Sequence, residues 1–339
     1  MSAPRREFLG KLAALGAAAM LPREPAAQPG AKAYRIDVHH HLMYPGYLGE
    51  VAGRRAGSNF KWSPEMSLED MDRSGIELSV LSLIQPSAVT ADVEKGRRIA
   101  RASNEYGAQL ARDHKGRFAS FATLPLLDTE GSLREIAYAL DTLKAAGIGL
   151  MTSYEDRYLG DASFAPVWDE LNRRKAVVYT HPLSPECCKN IRDDVPPAVV
   201  EYATDTTRAI ASLVFSGAAA RYPDIRWIFS HSGGTMPFLL SRFARHEIDL
   251  KDKAARLMPR GVMHELKKFH YDTAQGNHSG ALAALMKIVA PSQVLFGTDF
   301  PFRGGAEEIE GLSAFRFRPE ELRAIERDNA LKLLPALKA

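Results

Sequence analysis

From Ile36 onward the chain alternates between two hydrophobic rhythms. Short apolar runs read as buried strands, and between them lie stretches with the three-to-four spacing of amphipathic helices. The strands fall at Ile36 to His41, Leu78 to Ile84, Phe118 to Leu124, Ile148 to Ser153, Ala176 to Thr180, Ile225 to Ser230, Phe269 to Thr273 and Val294 to Gly297. The helices run from Ser67 to Gly75, Asp92 to Lys115, Ser132 to Ala146, Phe164 to Lys175, Asp205 to Arg221, Met236 to Asp249, Ser279 to Val289 and Pro319 to Leu334. Gly147 is a natural helix stop, and Asp205 is placed to cap the helix it opens.

Strict strand–helix alternation implies a parallel sheet with right-handed crossovers. Eight such units predict an α/β fold of the closed (β/α)8 TIM-barrel type. An open doubly wound sheet is the alternative, but no GxGxxG follows the first strand. Residues 34–339 are expected to form one domain. The segment from Leu42 to Met66 is rich in Gly and Pro and carries Tyr44, Tyr47, Arg54, Arg55 and Trp62. Long loops in compact domains tend to be functional, so it is expected to cover the active face.

Chemistry collects where strands end. Side chains alternate along a strand, so His39 and His41 share one face and His40 takes the other. His181 closes the fifth strand, His231 the sixth and Asp299 the eighth. Barrel enzymes build their sites at these C-terminal strand ends, and imidazole and carboxylate ligands hold divalent metals. Asp37 shares the face of the His39/His41 pair and is expected to support a histidine from behind. His278 falls in a loop on the active face and is a candidate substrate contact. His114, His246, His264 and His270 have no partner at ligand spacing and are expected at the surface.

Composition narrows the classes. The 339 residues are 45% hydrophobic and 25% charged with a net charge of +3, and no Lys/Arg run or interleaved aromatic patch marks a nucleic-acid surface. Two neighbouring cysteines, Cys187 and Cys188, are too few for a disulfide framework. Residues 1–33 read as an export leader. Arg5-Arg6-Glu7-Phe8-Leu9-Gly10 resembles the twin-arginine pattern, with Pro4 where Ser or Thr is usual, and the apolar stretch from Leu12 to Leu21 is too short to span a bilayer. The expectation is a periplasmic protein with no stable membrane insertion once the leader is removed.

The stretches Ile36-Asp37-Val38-His39-His40-His41, Thr180-His181-Pro182, Ser230-His231-Ser232-Gly233-Gly234 and Leu295-Phe296-Gly297-Thr298-Asp299-Phe300-Pro301 together resemble the amidohydrolase superfamily. The branch is amidohydrolase-2, related to amino-carboxymuconate-semialdehyde decarboxylase. Tyr271-Asp272-Thr273-Ala274 is similar to members acting on salicylate-like acids, such as 6-methylsalicylate decarboxylase. The resemblance implies one divalent metal, typically zinc, held by His39, His41, His181 and Asp299. It implies His231 as acid/base, with a fourth nitrogen ligand as its other reading, and Asp299 as ligand or proton donor. It also implies that Arg242 reaches a substrate carboxylate from a neighbouring subunit of a homodimer, with Arg54 as a rival. No lysine ends the fourth strand (IGLMTS), which favours a single metal. The activity implied is decarboxylation of a small aromatic or unsaturated carboxylic acid. Hydrolysis of a lactone, amide or C–C bond is the alternative, and a non-catalytic envelope protein with a structural metal is a third reading.

Overall fold

Eight parallel strands lie side by side in chain order: β1 (Arg35–Leu42), β2 (Ile76–Leu83), β3 (Phe118–Thr123), β4 (Gly147–Met151), β5 (Val177–His181), β6 (Arg226–Phe229), β7 (His270–Asp272) and β8 (Val294–Leu295). The computed structural model describes residues 34–51, 61–185 and 194–338. The sheet closes on itself. The Val38 amide donates to Phe296 O at 3.0 Å, Asp299 N to His39 O at 2.8 Å and His41 N to Phe300 O at 2.9 Å, which ties the end of β8 to β1. The TIM-barrel expectation therefore holds.

The outer helices follow the sequence signals. Ser63 accepts from Met66 N at the start of α1 (Pro64–Ser74), and Gly75 ends it in the left-handed region that glycine tolerates. Asp92 accepts from Lys95 N at 3.0 Å and starts α2 (Val93–Asp113). Then come α3 (Thr129–Ala137), α4 (Ala165–Arg173), α5 (Glu201–Phe215), α6 (Leu240–Leu250), α7 (Ser279–Leu285) and α8 (Gly305–Phe315), with closing turns at Pro319–Arg323 and Asn329–Leu333. Among the described residues no helix is long and apolar enough to cross a membrane.

The core has an inner and an outer part. Inside the barrel Ile36, Val38, Val80, Phe121, Tyr179 and Ile228 pack beneath the strand ends. Phe121 and Tyr179 stack there, with ring centroids 5.2 Å apart. Outside, Trp168 meets Trp227 edge-on at 5.4 Å between helix and sheet. Each such buried aromatic contributes on the order of 2–3 kcal/mol.

Three expectations change. Asp205 does not cap a helix: α5 begins at Glu201, and the Asp205 carboxylate is buried mid-helix, accepting from Thr152 Oγ1, Tyr158 OH and Leu183 N. The aromatics expected on a covering loop belong to the core. Tyr47 is fully buried, with its hydroxyl donating to Ile84 O and accepting from Ser87 N, while Tyr44 and Trp62 are buried beside it. His270 opens β7 and is largely buried rather than at the surface. Arg54, Arg55, Cys187, Cys188 and the leader 1–33 lie outside the described residues.

Candidate metal centre

His39, His41, His181, His231 and Asp299 meet at one end of the barrel, all buried. The point of convergence is Asp299, and its two oxygens divide the histidines. Oδ1 lies 3.0 Å from His39 Nε2, 2.8 Å from His41 Nε2 and 3.8 Å from His181 Nε2. Oδ2 lies 3.4 Å from His231 Nε2 and accepts from the Gln275 amide. Ligand atoms of His39, His181, His231 and Asp299 all fall within 4.8 Å of one another.

Two histidines are aimed from behind. Asp272 Oδ2 accepts from His39 Nδ1 at 2.9 Å, and Pro182 O accepts from His181 Nδ1 at 2.9 Å. Each bond fixes a proton on Nδ1 and turns Nε2 toward Asp299, so Nε2 is the nitrogen left for a metal, the arrangement metal-binding histidines need. Asp272 also accepts from the backbone of His231 at 2.9 Å and of Ala274 at 3.1 Å, so one carboxylate fixes residues from two strands. Gly297 makes this crowding possible: a Cβ there would sit 2.7 Å from that of His39.

Asp37 supports a histidine, but a different one from those facing the centre. Its Oδ2 accepts from His40 Nδ1 at 2.9 Å and from Thr298 Oγ1 at 2.7 Å; its Oδ1 accepts from the His39 and Thr298 amides. The register of β1 against β2 shifts between Asp37 and His40, and that irregularity breaks strict alternation. His40 stacks on Phe300 at 4.8 Å and meets Ser67 Oγ at 2.8 Å. This pair clamps β1 to the chain just before Asp299.

The electrostatics suit a cation. Burial pushes the His39 imidazole down, but the Asp272 and Asp299 carboxylates outweigh it and lift it to about 10. Burial holds His181 well below its ordinary range and lowers His41. Burial also opposes ionisation of Asp299, yet the charge on His39 and the imidazoles of His181 and His231 beside it keep it well below the usual carboxylate range. The cluster therefore sets a positively charged His39 and the neutral imidazoles of His41 and His181 around an ionised carboxylate, an environment that favours positive charge.

The donors fit a divalent ion. His39 Nε2 and His181 Nε2 face Asp299 and are buried ring nitrogens without a hydrogen-bond partner, while His41 and His231 present Nε2 to the same carboxylate. His39 Nε2 is close to Asp299 Oδ1 but off the line a hydrogen bond requires. Ligands about 2.0–2.1 Å from a tetrahedral zinc stand roughly 3.3 Å apart, similar to the separations here.

The remaining sequence candidates lie elsewhere. His278 is exposed and accepts from Ala281 N at 3.4 Å, capping α7. Arg242 is exposed on α6. Sequence reading missed Asp272 and Gln275 as neighbours of the centre. It also missed Phe302, whose ring stands 5.7 Å from His41. The TDFPF run that carries Asp299 was the available signal for Phe302.

A closed parallel barrel with clustered His and Asp side chains at its strand ends defines a metal-dependent barrel enzyme. The chain belongs to the amidohydrolase family, whose model matches residues 36–336. It is 37% identical over 289 residues to a decarboxylase of Penicillium terrestre, covering 79% of this chain and 84% of that protein. It is 35% identical over 316 residues to the 6-methylsalicylic acid decarboxylase of Penicillium expansum, covering 90% and 97%. Among solved structures, the dihydroxybenzoic acid decarboxylase of Polaromonas sp. JS666, with bound manganese and 2-nitroresorcinol, superposes with a TM-score of 0.78. That match is 21% identical and covers 90% of this chain and 98% of the other.

Proposed function

We propose that the protein is a metal-dependent decarboxylase of a small aromatic carboxylic acid. The observation that carries the proposal is the division of histidines between the two oxygens of Asp299, in a chain whose relatives are named decarboxylases. His39, His41 and His181 gather on Oδ1 and, with Asp299, would hold one divalent ion. His231 stands on the other oxygen, free to exchange a proton. The nitrogen-rich set suits zinc, while the Polaromonas neighbour contains manganese.

A bound divalent ion would supply a Lewis acid that orients the carboxylic acid and withdraws charge from its ring. The chain's residues do the rest. Decarboxylation breaks the ring–carboxyl bond, leaves the electron pair on carbon and requires one proton there. The His231 Nε2–Asp299 Oδ2 pair, 3.4 Å apart, is the proton-holding unit that faces the centre. Gln275, donating to the same oxygen, fixes the carboxylate plane. Hydrolysis would use the same groups but consume water, so product analysis separates the two readings. Metal-loaded protein, with zinc and manganese in parallel, is incubated with hydroxybenzoates, muconate-like acids, amides and lactones. Carbon dioxide release from an acid supports the proposal; hydrolysis products without carbon dioxide overturn it.

Two further parts of the proposal rest on sequence. Arg242, exposed on α6, is assigned to the substrate carboxylate of a neighbouring subunit in a homodimer, tested by sedimentation and by the KM of Arg242→Ala. Residues 1–33 are assigned as a twin-arginine leader to the periplasm, tested by N-terminal sequencing of the fractionated protein.

A further inference from the structure

One hydrogen bond crosses the mouth of the barrel. Gln85 lies two residues beyond the end of β2, and Tyr202 lies in the first turn of α5, which follows β5. Strand order puts β2 and β5 three places apart in a ring of eight, so the two residues approach from well-separated sides. The Gln85 amide nitrogen donates to Tyr202 OH at 3.3 Å. The Tyr202 ring stands edge-on to His181, with centroids 6.0 Å apart, which places this bridge beside the metal-centre histidines.

The bridge is chemically incomplete. Gln85 is buried, and its amide oxygen has no hydrogen-bond partner. Buried carbonyl oxygens are nearly always satisfied, and one that is not is costly to keep. An apolar side chain would fill the same space without that cost. The unmet need is for a donor. A carboxylate has none, so the oxygen is not suited to the acid group of a substrate. A phenolic hydroxyl supplies one O–H and matches it, while the Tyr202 ring offers an aromatic edge beside the same position.

We propose that Gln85 and Tyr202 read a ring hydroxyl of the aromatic acid, with Gln85 Oε1 accepting the hydroxyl proton. This inference rests on the decarboxylase reading for its ligand class and adds to it the residues that select for a ring hydroxyl. A site built to hydrogen-bond a hydroxyl discriminates strongly against the analogue lacking it, because the buried partner is then left bare.

The test uses equilibrium binding of benzoate, 2-hydroxybenzoate and 2,6-dihydroxybenzoate to the metal-loaded full chain, measured by calorimetry beside turnover. Wild type should bind a hydroxylated acid at least about tenfold more tightly than benzoate. Gln85→Leu should erase that preference while leaving benzoate affinity and metal content unchanged. Tyr202→Phe should reduce the preference in the same direction, and it carries the test alone if Gln85→Leu does not fold. Equal weakening of all three acids, or a hydroxyl preference that survives both substitutions, overturns the proposal. The two readings fail separately. Carbon dioxide release with a hydroxyl preference indifferent to Gln85 and Tyr202 sinks this inference alone. A preference that depends on Gln85, with no acid decarboxylated, sinks the decarboxylase reading alone.

Discussion

Replacing Asp272 with Asn keeps the shape of a fully buried side chain and removes one of its acceptors. Asp272 accepts three hydrogen bonds: from His39 Nδ1 at 2.9 Å, His231 N at 2.9 Å and Ala274 N at 3.1 Å. An asparagine has one acceptor and one donor group, so each orientation sets donor against donor. With its amide nitrogen toward His39, the imidazole must move its proton to Nε2, the atom facing Asp299 at 3.0 Å. That removes the lone pair a metal requires, along with a charge-assisted bond worth about 1.5–3 kcal/mol. The expected loss in metal affinity is about 10- to 100-fold, or about 1.4–2.8 kcal/mol, so the two figures agree. With the amide nitrogen toward His231 and Ala274, two buried backbone donors go unmet and the fold loses about 1–3 kcal/mol for each. Competition with a chromophoric chelator measures the first outcome, and urea unfolding in EDTA measures the second. A variant with unchanged metal affinity and unchanged unfolding midpoint would show the assigned role of Asp272 to be wrong.

Three further tests address other parts of the structure. His231→Ala should retain metal by elemental analysis and lose turnover; loss of the metal with it would make His231 a ligand. Stripping the ion with EDTA should lower the melting temperature, because an ion present at a thousandfold over its dissociation constant adds about 4 kcal/mol. His270 is held down to about 4 by burial, with Arg226 adding to the effect, against an ordinary value of 6.5. The unfolded chain therefore binds the proton more readily. The stability contributed by neutral His270 is complete above about pH 6.5 and declines toward pH 4, by about 3 kcal/mol in all. Urea midpoints across that window should flatten in His270→Asn, and an unchanged slope counts against the assignment.

The barrel was legible because its signals are local. Apolar strand runs and amphipathic helical stretches alternate eight times, and a parallel sheet leaves little choice of how to join them. The five side chains of the centre were legible for the same reason: each ends a strand, and strand ends converge in this architecture. What escaped depended on details of chain path. Asp37 sits at the parity of His39, and only the register shift before His40 turns its carboxylate to the other histidine. Asp272 looked like one residue of a motif, and its double hold on His39 and His231 appears only once the closed barrel brings the ends of β1, β6 and β7 to one rim. Tyr47 lay in a Gly- and Pro-rich segment, yet it is fully buried with both hydrogen-bonding functions of its hydroxyl used. Asp205 had the look of a cap, but helix α5 starts a turn earlier and spends that carboxylate on Thr152 and Tyr158.

The backbone around the centre shows what this convergence costs. His231, Ser232, Gln275 and Asp299 all have positive φ, at 55°, 55°, 50° and 66°. Side chains rarely take this conformation, and each instance costs on the order of 1–2 kcal/mol. The left-handed residues turn the chain sharply as it leaves a strand, which aims His231 and Asp299 inward instead of along the strand's alternation. They are held there by bonds from His231 N to Asp272 and from Asp299 N to His39 O. Ser232 allows this strain to be isolated. It touches no metal-facing atom directly, and its hydroxyl bonds to the carbonyls of Asp272 and Gly276 at 3.4 and 3.2 Å. Ser232→Ala and Ser232→Gly both lose those bonds, but only glycine relieves the backbone. Glycine should then be the more stable of the two by about 1 kcal/mol, the reverse of their order in a helix. Chemical unfolding of both variants decides it. An alanine variant as stable as the glycine variant would mean that the turn carries no strain, and the inward aim of His231 would need another cause.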